Sequence, residues 1–286
     1  MTFYLGCPEP SWLRRTSVPL FISRTRLSRV IALPEARGPW ALDSGGFSEL
    51  RESGRWTISP QRYADEVRGY IAQLGEPDFA APQDWMCEDD QLARTGLTLQ
   101  EHQVRTVLNY AVLRQLAPEV PWLPVLQGVT VASYLRCAAM YEAIGVHLAD
   151  EPRVGVGSVC RRQATVGAAV LFDRLVGELG LRNLHGFGLK ADGLDLFGEQ
   201  LASADSMAWS YGARRDADDP DRAPCPDGRT DCRNCLHEAL AWRERVLASW
   251  AGARGRADVP PVVAPRLRPR REPAQTSLFS VLTSAG

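Results

Sequence analysis

Short apolar runs alternate with helical patterns along most of this chain, and that alternation constrains its fold more than any other feature. Residues 3–7, 19–23 and 40–43 are apolar runs bounded by proline or glycine, the pattern of buried strands. Residues 78–84, 122–128, 153–158, 184–190 and 203–209 continue the series. A helix opens at Ser59-Pro60 and carries Tyr63, Val67, Tyr70, Ile71 and Leu74 on one face. Others run over 98–116, through Tyr134, Leu135 and Met140, through Val170, Leu171 and Leu175, and near 194–200. Strands recurring at roughly 30 residues with helices between them imply an α/β protein with a parallel sheet. Seven or eight such units predict a (β/α)8 TIM-like barrel, whose site lies at the C-terminal ends of the strands. An open doubly wound sheet is the rival, and no glycine-rich dinucleotide fingerprint supports it.

With 286 residues, 45% of them hydrophobic, the chain can build one large core and an appendage. The formal net charge of -1 gives no global basic field, so any nucleic-acid surface has to be local. Cysteines number seven, with three clustered late, which fits reduced thiols and a metal site better than a disulfide framework. No signal-like pattern opens the sequence and no apolar run is long enough to span a membrane, so a cytoplasmic location is expected. Past Tyr211 the character changes. An acidic stretch (Asp216, Asp218, Asp219, Asp221) precedes the cysteines, and a helix follows over 236–250. From Gly252 onward Pro, Arg and Ala dominate, and disorder is expected. The expected division is therefore a barrel over 1–212, a Cys-rich zinc-binding segment with a helix over 213–251, and a disordered tail over 252–286.

Chemistry-bearing residues gather at the predicted strand ends. The run Trp40-Ala41-Leu42-Asp43-Ser44-Gly45-Gly46-Phe47 delivers a carboxylate to the end of a strand, and its glycines allow a sharp turn and a close ligand. The simpler reading is a Gly-Gly turn in which Asp43 caps the next helix. Asp84, Gln127, Gly155, Gly157, His185 and Asp205 fall at or near other strand ends. Two aspartates so placed can divide covalent and acid/base work at an anomeric carbon. Cys225, Cys232 and Cys235, with His237 two residues on, have the donor set of a structural tetrahedral zinc site. Asp227 or a water rivals His237 as fourth ligand. Arg161 and Arg162 follow the 153–158 strand and could hold phosphate, or form a solvated pair.

Taken in order, DSGGF, PQD, LQG, GVGS, HGFGLK and ADS resemble the queuine/archaeosine tRNA-guanine transglycosylase superfamily. The resemblance is closest to the shorter DpdA-like branch, the 7-deazaguanine DNA transglycosylases, and covers about residues 3–250. It implies a (β/α)8 barrel with a zinc subdomain, and exchange of guanine in a polynucleotide for a 7-deazaguanine base without strand cleavage. By the same resemblance, Asp205 is the nucleophile on C1′ and Asp43 the general acid/base. Asp84 reads the Watson–Crick edge, Gln127 hydrogen-bonds the base, and the backbone around Gly155 and Gly157 contacts its exocyclic oxygen. His185 is a candidate base contact, or a histidine satisfied behind the site. The tRNA enzymes carry CxCxxC and a distant histidine, so the cysteine spacing here departs from theirs.

Three functions follow. The first inserts a 7-deazaguanine, 7-cyano-7-deazaguanine by expectation, into DNA, with the target guanosine flipped out of the duplex. The second performs the same exchange on tRNA. The third is a non-catalytic barrel that binds nucleic acid or bases. An asparagine at 43 or 205 would favour the third, and both positions are aspartate.

The tail adds a separate signal. Arg254, Arg256, Arg266, Arg268, Arg270 and Arg271 lie among prolines, and a basic arm of this kind is drawn to phosphate backbone. Gln275, Leu278 and Phe279 then form a pentapeptide resembling the bacterial sliding-clamp binding motif. Tethering to a clamp would raise the effective concentration of the protein at new duplex. A peptide spanning residues 273–281 is expected to bind a sliding clamp with roughly micromolar affinity, and Leu278→Ala with Phe279→Ala to abolish it. Equal binding of both peptides in a titration, or binding of neither, contradicts this reading.

Overall fold

The computed structural model describes residues 1–160, 165–215, 225–226, 228 and 231–254. Seven strands, β1 (Thr2–Cys7), β2 (Leu20–Ser23), β3 (Trp40–Asp43), β4 (Val125–Leu126), β5 (Val154–Val156), β6 (Leu184–Gly186) and β7 (Leu201–Ser206), form one sheet. Its order is β3-β2-β1-β7-β6-β5-β4 and every pairing is parallel. The helices are α1 (Arg24–Leu27), α2 (Gly46–Ser53), α3 (Pro60–Leu74), α4 (Asp89–Thr95), α5 (Leu99–Leu116), α6 (Val131–Ala143), α7 (Val166–Leu179), α8 (Ala191–Phe197), α9 (Ala208–Arg215) and α10 (Leu236–Arg254).

The strands curl into a half-barrel because both faces of the sheet are buried and the residues alternate between them. Tyr4, Phe21 and Ala41 point inward with Phe79, Leu123 and Val125. Phe3, Leu5, Leu20, Ile22, Trp40 and Leu42 belong to the larger core under the helices. The gap between edge strands β3 and β4 is spanned by the segment around Ala80. Sequence alternation predicts a full strand over 78–84, but the structure holds only single-residue parallel bridges there, Leu42 with Ala80 and Ala80 with Trp122. Prolines at 77, 82, 121 and 124 frame this region and remove N–H donors from a longer ladder. The predicted strand over 122–128 is likewise shortened to Val125–Leu126.

Helix boundaries follow local chemistry. Ser59 caps α3, with Pro60 at its first position, where a missing N–H costs nothing. Thr98 and Glu101 form a reciprocal capping box on α5, worth about 1 kcal/mol. Helix α10 packs on β1, α8 and α9, and its Leu236, Ala239 and Val246 join the main core. No helix among the described residues is long and apolar enough to cross a membrane. The acidic stretch at 216–221, Arg161, Arg162, Asp227, and the tail with Gln275, Leu278 and Phe279 lie outside the described residues.

Candidate active site

A cavity of about 470 Å³ opens at the C-terminal ends of the strands. Its walls include Asp43 at the end of β3, Asp84 after the Ala80 segment, Gln127 after β4, Gly157 after β5 and Asp205 in β7. Five residues far apart in sequence therefore meet because parallel strands end on one side. Gly155 and His185, also expected at the site, do not line the cavity.

Asp205 is almost fully buried. Its Oδ1 accepts the Gly188 N–H at 3.0 Å and lies 3.3 Å from His185 Nε2. Its Oδ2 has no hydrogen-bond partner among the described residues. One oxygen is thus tethered and the other is left for chemistry.

Asp43 accepts bonds from the Ser23 hydroxyl and the Gly45 N–H. Parallel register places Ser23 directly opposite it. Burial pushes the Asp43 pKa up, these two donors pull it back in part, and the Asp205 charge adds to the rise. Asp43 is not the cap of α2: the N-cap is Gly45, which makes no side-chain cap bond and has φ +77°. Gly46 is needed for a different close approach. A Cβ there would lie 2.9 Å from both Met86 and Trp56 and 3.2 Å from the Asp84 carbonyl.

Asp84 receives the Ser44 hydroxyl on Oδ1 at 2.9 Å and the Gln127 amide on Oδ2 at 2.8 Å. Burial, helped by the charge of Asp43 and opposed by the bonds from Ser44 and Gln127, raises its pKa to about 7. Gln127 is wholly buried, and its Oε1 accepts the Ser158 hydroxyl at 2.7 Å. A Cβ on Gly157 would fall 2.4 Å from Gln127 Nε2, so only glycine lets this amide reach Asp84. The Gly155 and Gly157 N–H groups are both committed to sheet bonds, with the Pro124 and Leu126 carbonyls. Gly155 instead makes room for Phe187, whose ring would sit 2.6 Å from an added Cβ.

Ser23, Ser44 and Ser158 were not singled out by sequence reasoning. Ser44 adjoins Asp43 in the DSGGF run and Ser158 closes GVGS, so both stood within recognised motifs. Ser23 is exposed as a site residue only by strand register. Arg24 beside it is buried and pairs with Glu66 at 2.7 Å and Glu49 at 3.0 Å, fixing the end of β2 to α2 and α3.

On the far side of α9, Cys225, Cys232 and Cys235 bring their sulfurs within 4.8 Å of one another. The Cys225 and Cys235 sulfurs are 3.5 Å apart. Zinc bonds of about 2.3 Å at tetrahedral angles separate thiolates by roughly 3.8 Å, so the residues present fit a soft tetrahedral metal. His237, in the first turn of α10, stands outside this group.

The half-barrel and its cavity define an α/β protein with a carboxylate-bearing site, walled largely by apolar side chains, at the strand ends. The chain belongs to the DpdA family, "DeoxyPurine in DNA protein A", whose profile matches residues 1–263. This family falls within the tRNA-guanine transglycosylase superfamily and is implicated in 7-deazaguanine modification of DNA. No individually curated protein matches the sequence.

The Asp84 environment sets a pH dependence of stability. Its folded-state pKa of about 7 stands above that of an unfolded aspartate, about 4. Its stabilising contribution is complete below the unfolded value and is lost as pH rises through the folded one, where the fold must hold a buried charge. Asp84→Asn keeps an acceptor for Gln127 and a donor for Ser44, and removes the charge. It is expected to stabilise the protein by about 2–4 kcal/mol at pH 8 and by less at pH 5. Urea melts at the two pH values check this, and equal gains at both would contradict it.

Proposed function

We propose that this protein is a base-exchange transglycosylase that replaces guanine in DNA with a 7-deazaguanine, 7-cyano-7-deazaguanine being the incoming base, through a covalent intermediate on Asp205. The observation that carries the reading is Asp205 itself, tethered through Oδ1, with no partner for Oδ2 among the described residues, in a cavity shared with Asp43 and Asp84.

In this reading Oδ2 of Asp205 attacks C1′ of a flipped nucleotide, and the C1′–N9 bond breaks as the guanine takes a proton from Asp43. Burial raises the pKa of Asp43, which favours the protonated form that can give this proton. The incoming base then returns a proton to Asp43 and attacks C1′ through N9, and the aspartyl ester breaks. No phosphodiester bond is touched. Asp84 and Gln127 are the base-recognition pair. A purine edge offers N–H donors to a carboxylate and a carbonyl to an amide, and unpaired buried groups reject the wrong base strongly. Because Asp84 must be ionised to accept two N–H groups, base binding releases its proton.

The Ala80 segment is read as the eighth stave of a (β/α)8 barrel, reduced to its two bridges. The cysteine cluster is read as a structural zinc site that ties α9 to the start of α10. Cys225, Cys232 and Cys235 would hold the metal, and it supplies rigidity and no chemistry at the cavity.

Exchange of labelled guanine into duplex DNA, with tRNA assayed alongside, tests the proposal. Asp205→Ala is expected to abolish exchange, and Asp43→Asn to lower it by about 10²–10⁴ while the fold is kept. Near wild-type exchange by Asp205→Ala would contradict the covalent role, and exchange into tRNA alone would contradict the DNA substrate. Elemental analysis of purified protein should find about one zinc per chain, lost on replacing Cys225 and Cys235 with serine. Metal-free protein of undiminished stability would contradict the zinc reading.

A further inference from the structure

His185 lies behind Asp205 and has no exposed surface. It sits in the inner core, with the rings of Phe187 at 4.7 Å and Phe79 at 4.8 Å and that of Phe21 at 5.7 Å. Among the described residues, its polar partner besides Asp205 is the Ser203 hydroxyl, 2.9 Å from Nδ1. His185 of β6 pairs in register with Ser203 of β7, and Asp205 lies two residues further along β7 on the same face, so the sheet itself builds the chain Ser203–His185–Asp205.

We propose that His185 is a positioning residue for Asp205, its Nε2–H holding Oδ1 so that Oδ2 is presented to the reacting carbon. This rests on the reading of Asp205 as nucleophile. A hydroxyl can donate to Nδ1, and that fixes the proton on Nε2. Burial among aromatic rings lowers the imidazole pKa, and the Asp205 charge only partly offsets this, so the ring is neutral. A neutral Nε2–H tautomer donates to a carboxylate without moving a proton.

The same bond serves every state of the proposed cycle. Before attack, His185 and the Gly188 N–H hold Oδ1 of the free carboxylate. Attack forms the Oδ2–C1′ bond and breaks C1′–N9, and Oδ1 becomes the carbonyl oxygen of the ester. It still accepts from both donors. When the incoming base breaks the ester, the charge returns to a carboxylate that has not turned. His185 touches neither substrate nor cavity, so its loss should act on the chemical step and not on binding.

Three variants separate this role from simple core packing. Gln at this position places an N–H donor near the Nε2 position and an acceptor toward Ser203. Asn reaches only the Nδ1 position, and Phe keeps the aromatic packing without a donor. In steady-state guanine exchange, His185→Gln should stay within about tenfold of wild type. His185→Phe and His185→Asn should lower kcat by about 10–10²-fold, with KM for DNA and base unchanged. Thermal melts establish that each variant folds. Nitrogen NMR of ¹⁵N-histidine-labelled wild type, which needs no variant, should show His185 as the Nε2–H tautomer at neutral pH. A raised KM with unchanged kcat, a glutamine variant as impaired as the phenylalanine one, or an Nδ1–H tautomer would each overturn the inference while Asp205→Ala remains inactive. An exchange-competent Asp205→Ala protein would instead overturn the nucleophile reading and this inference with it.

Discussion

Three aspartates line one cavity, and the cost of bringing them together shapes what surrounds them. Each is met differently. Asp205 is held by two donors on one oxygen. Asp43 and Asp84 are pushed toward their protonated forms by burial and by a neighbouring carboxylate, Asp205 for the first and Asp43 for the second. Environments that differ in this way let chemically identical side chains take different parts. In the proposed reading, an acid held toward its protonated form beside a tethered carboxylate serves exchange at a glycosidic carbon.

The supporting parts trace to strand register and close packing. Pairing of β2 with β3 brings Ser23 to Asp43, and the Arg24 pairs with Glu49 and Glu66 hold that register. Gly157 admits the Gln127 amide, and Gly155 admits Phe187, which packs against His185. At the opposite end of the strands, the buried Tyr4 hydroxyl donates to Asp78 and accepts from Arg153, so it too is paired. The family match extends over residues 1–263 and so includes the whole cavity and the cysteine cluster.

Much of this was legible in the sequence, for physical reasons. Buried parallel strands are apolar runs stopped by Gly or Pro, so β1, β2, β3, β5, β6 and β7 stood out. So did the carboxylates at their ends and the clustered cysteines. Helices α2 and α4 did not, because each buries few side chains, Gly46 and Leu50 in one and Gln91 in the other, and such a helix carries no stripe. The strand expected at 78–84 shrank to bridges because proline-framed backbone cannot extend a ladder. Gly155 was read as a ligand contact because glycine serves a ligand's approach and a neighbour's side chain equally well. Only coordinates show that Phe187 takes the space. His185 carried two readings for the same reason, and its burial places it behind Asp205 and outside the cavity.

The most direct test of the central claim is to trap the ester. Protein mixed with guanine-containing duplex, without an incoming base, can be acid-quenched, digested and mapped by mass spectrometry. A deoxyribosyl adduct on the peptide containing Asp205, absent when that residue is alanine and discharged by added 7-deazaguanine, is the predicted result. Exchange that proceeds with no protein-bound sugar, or with the adduct on another residue, would contradict the account.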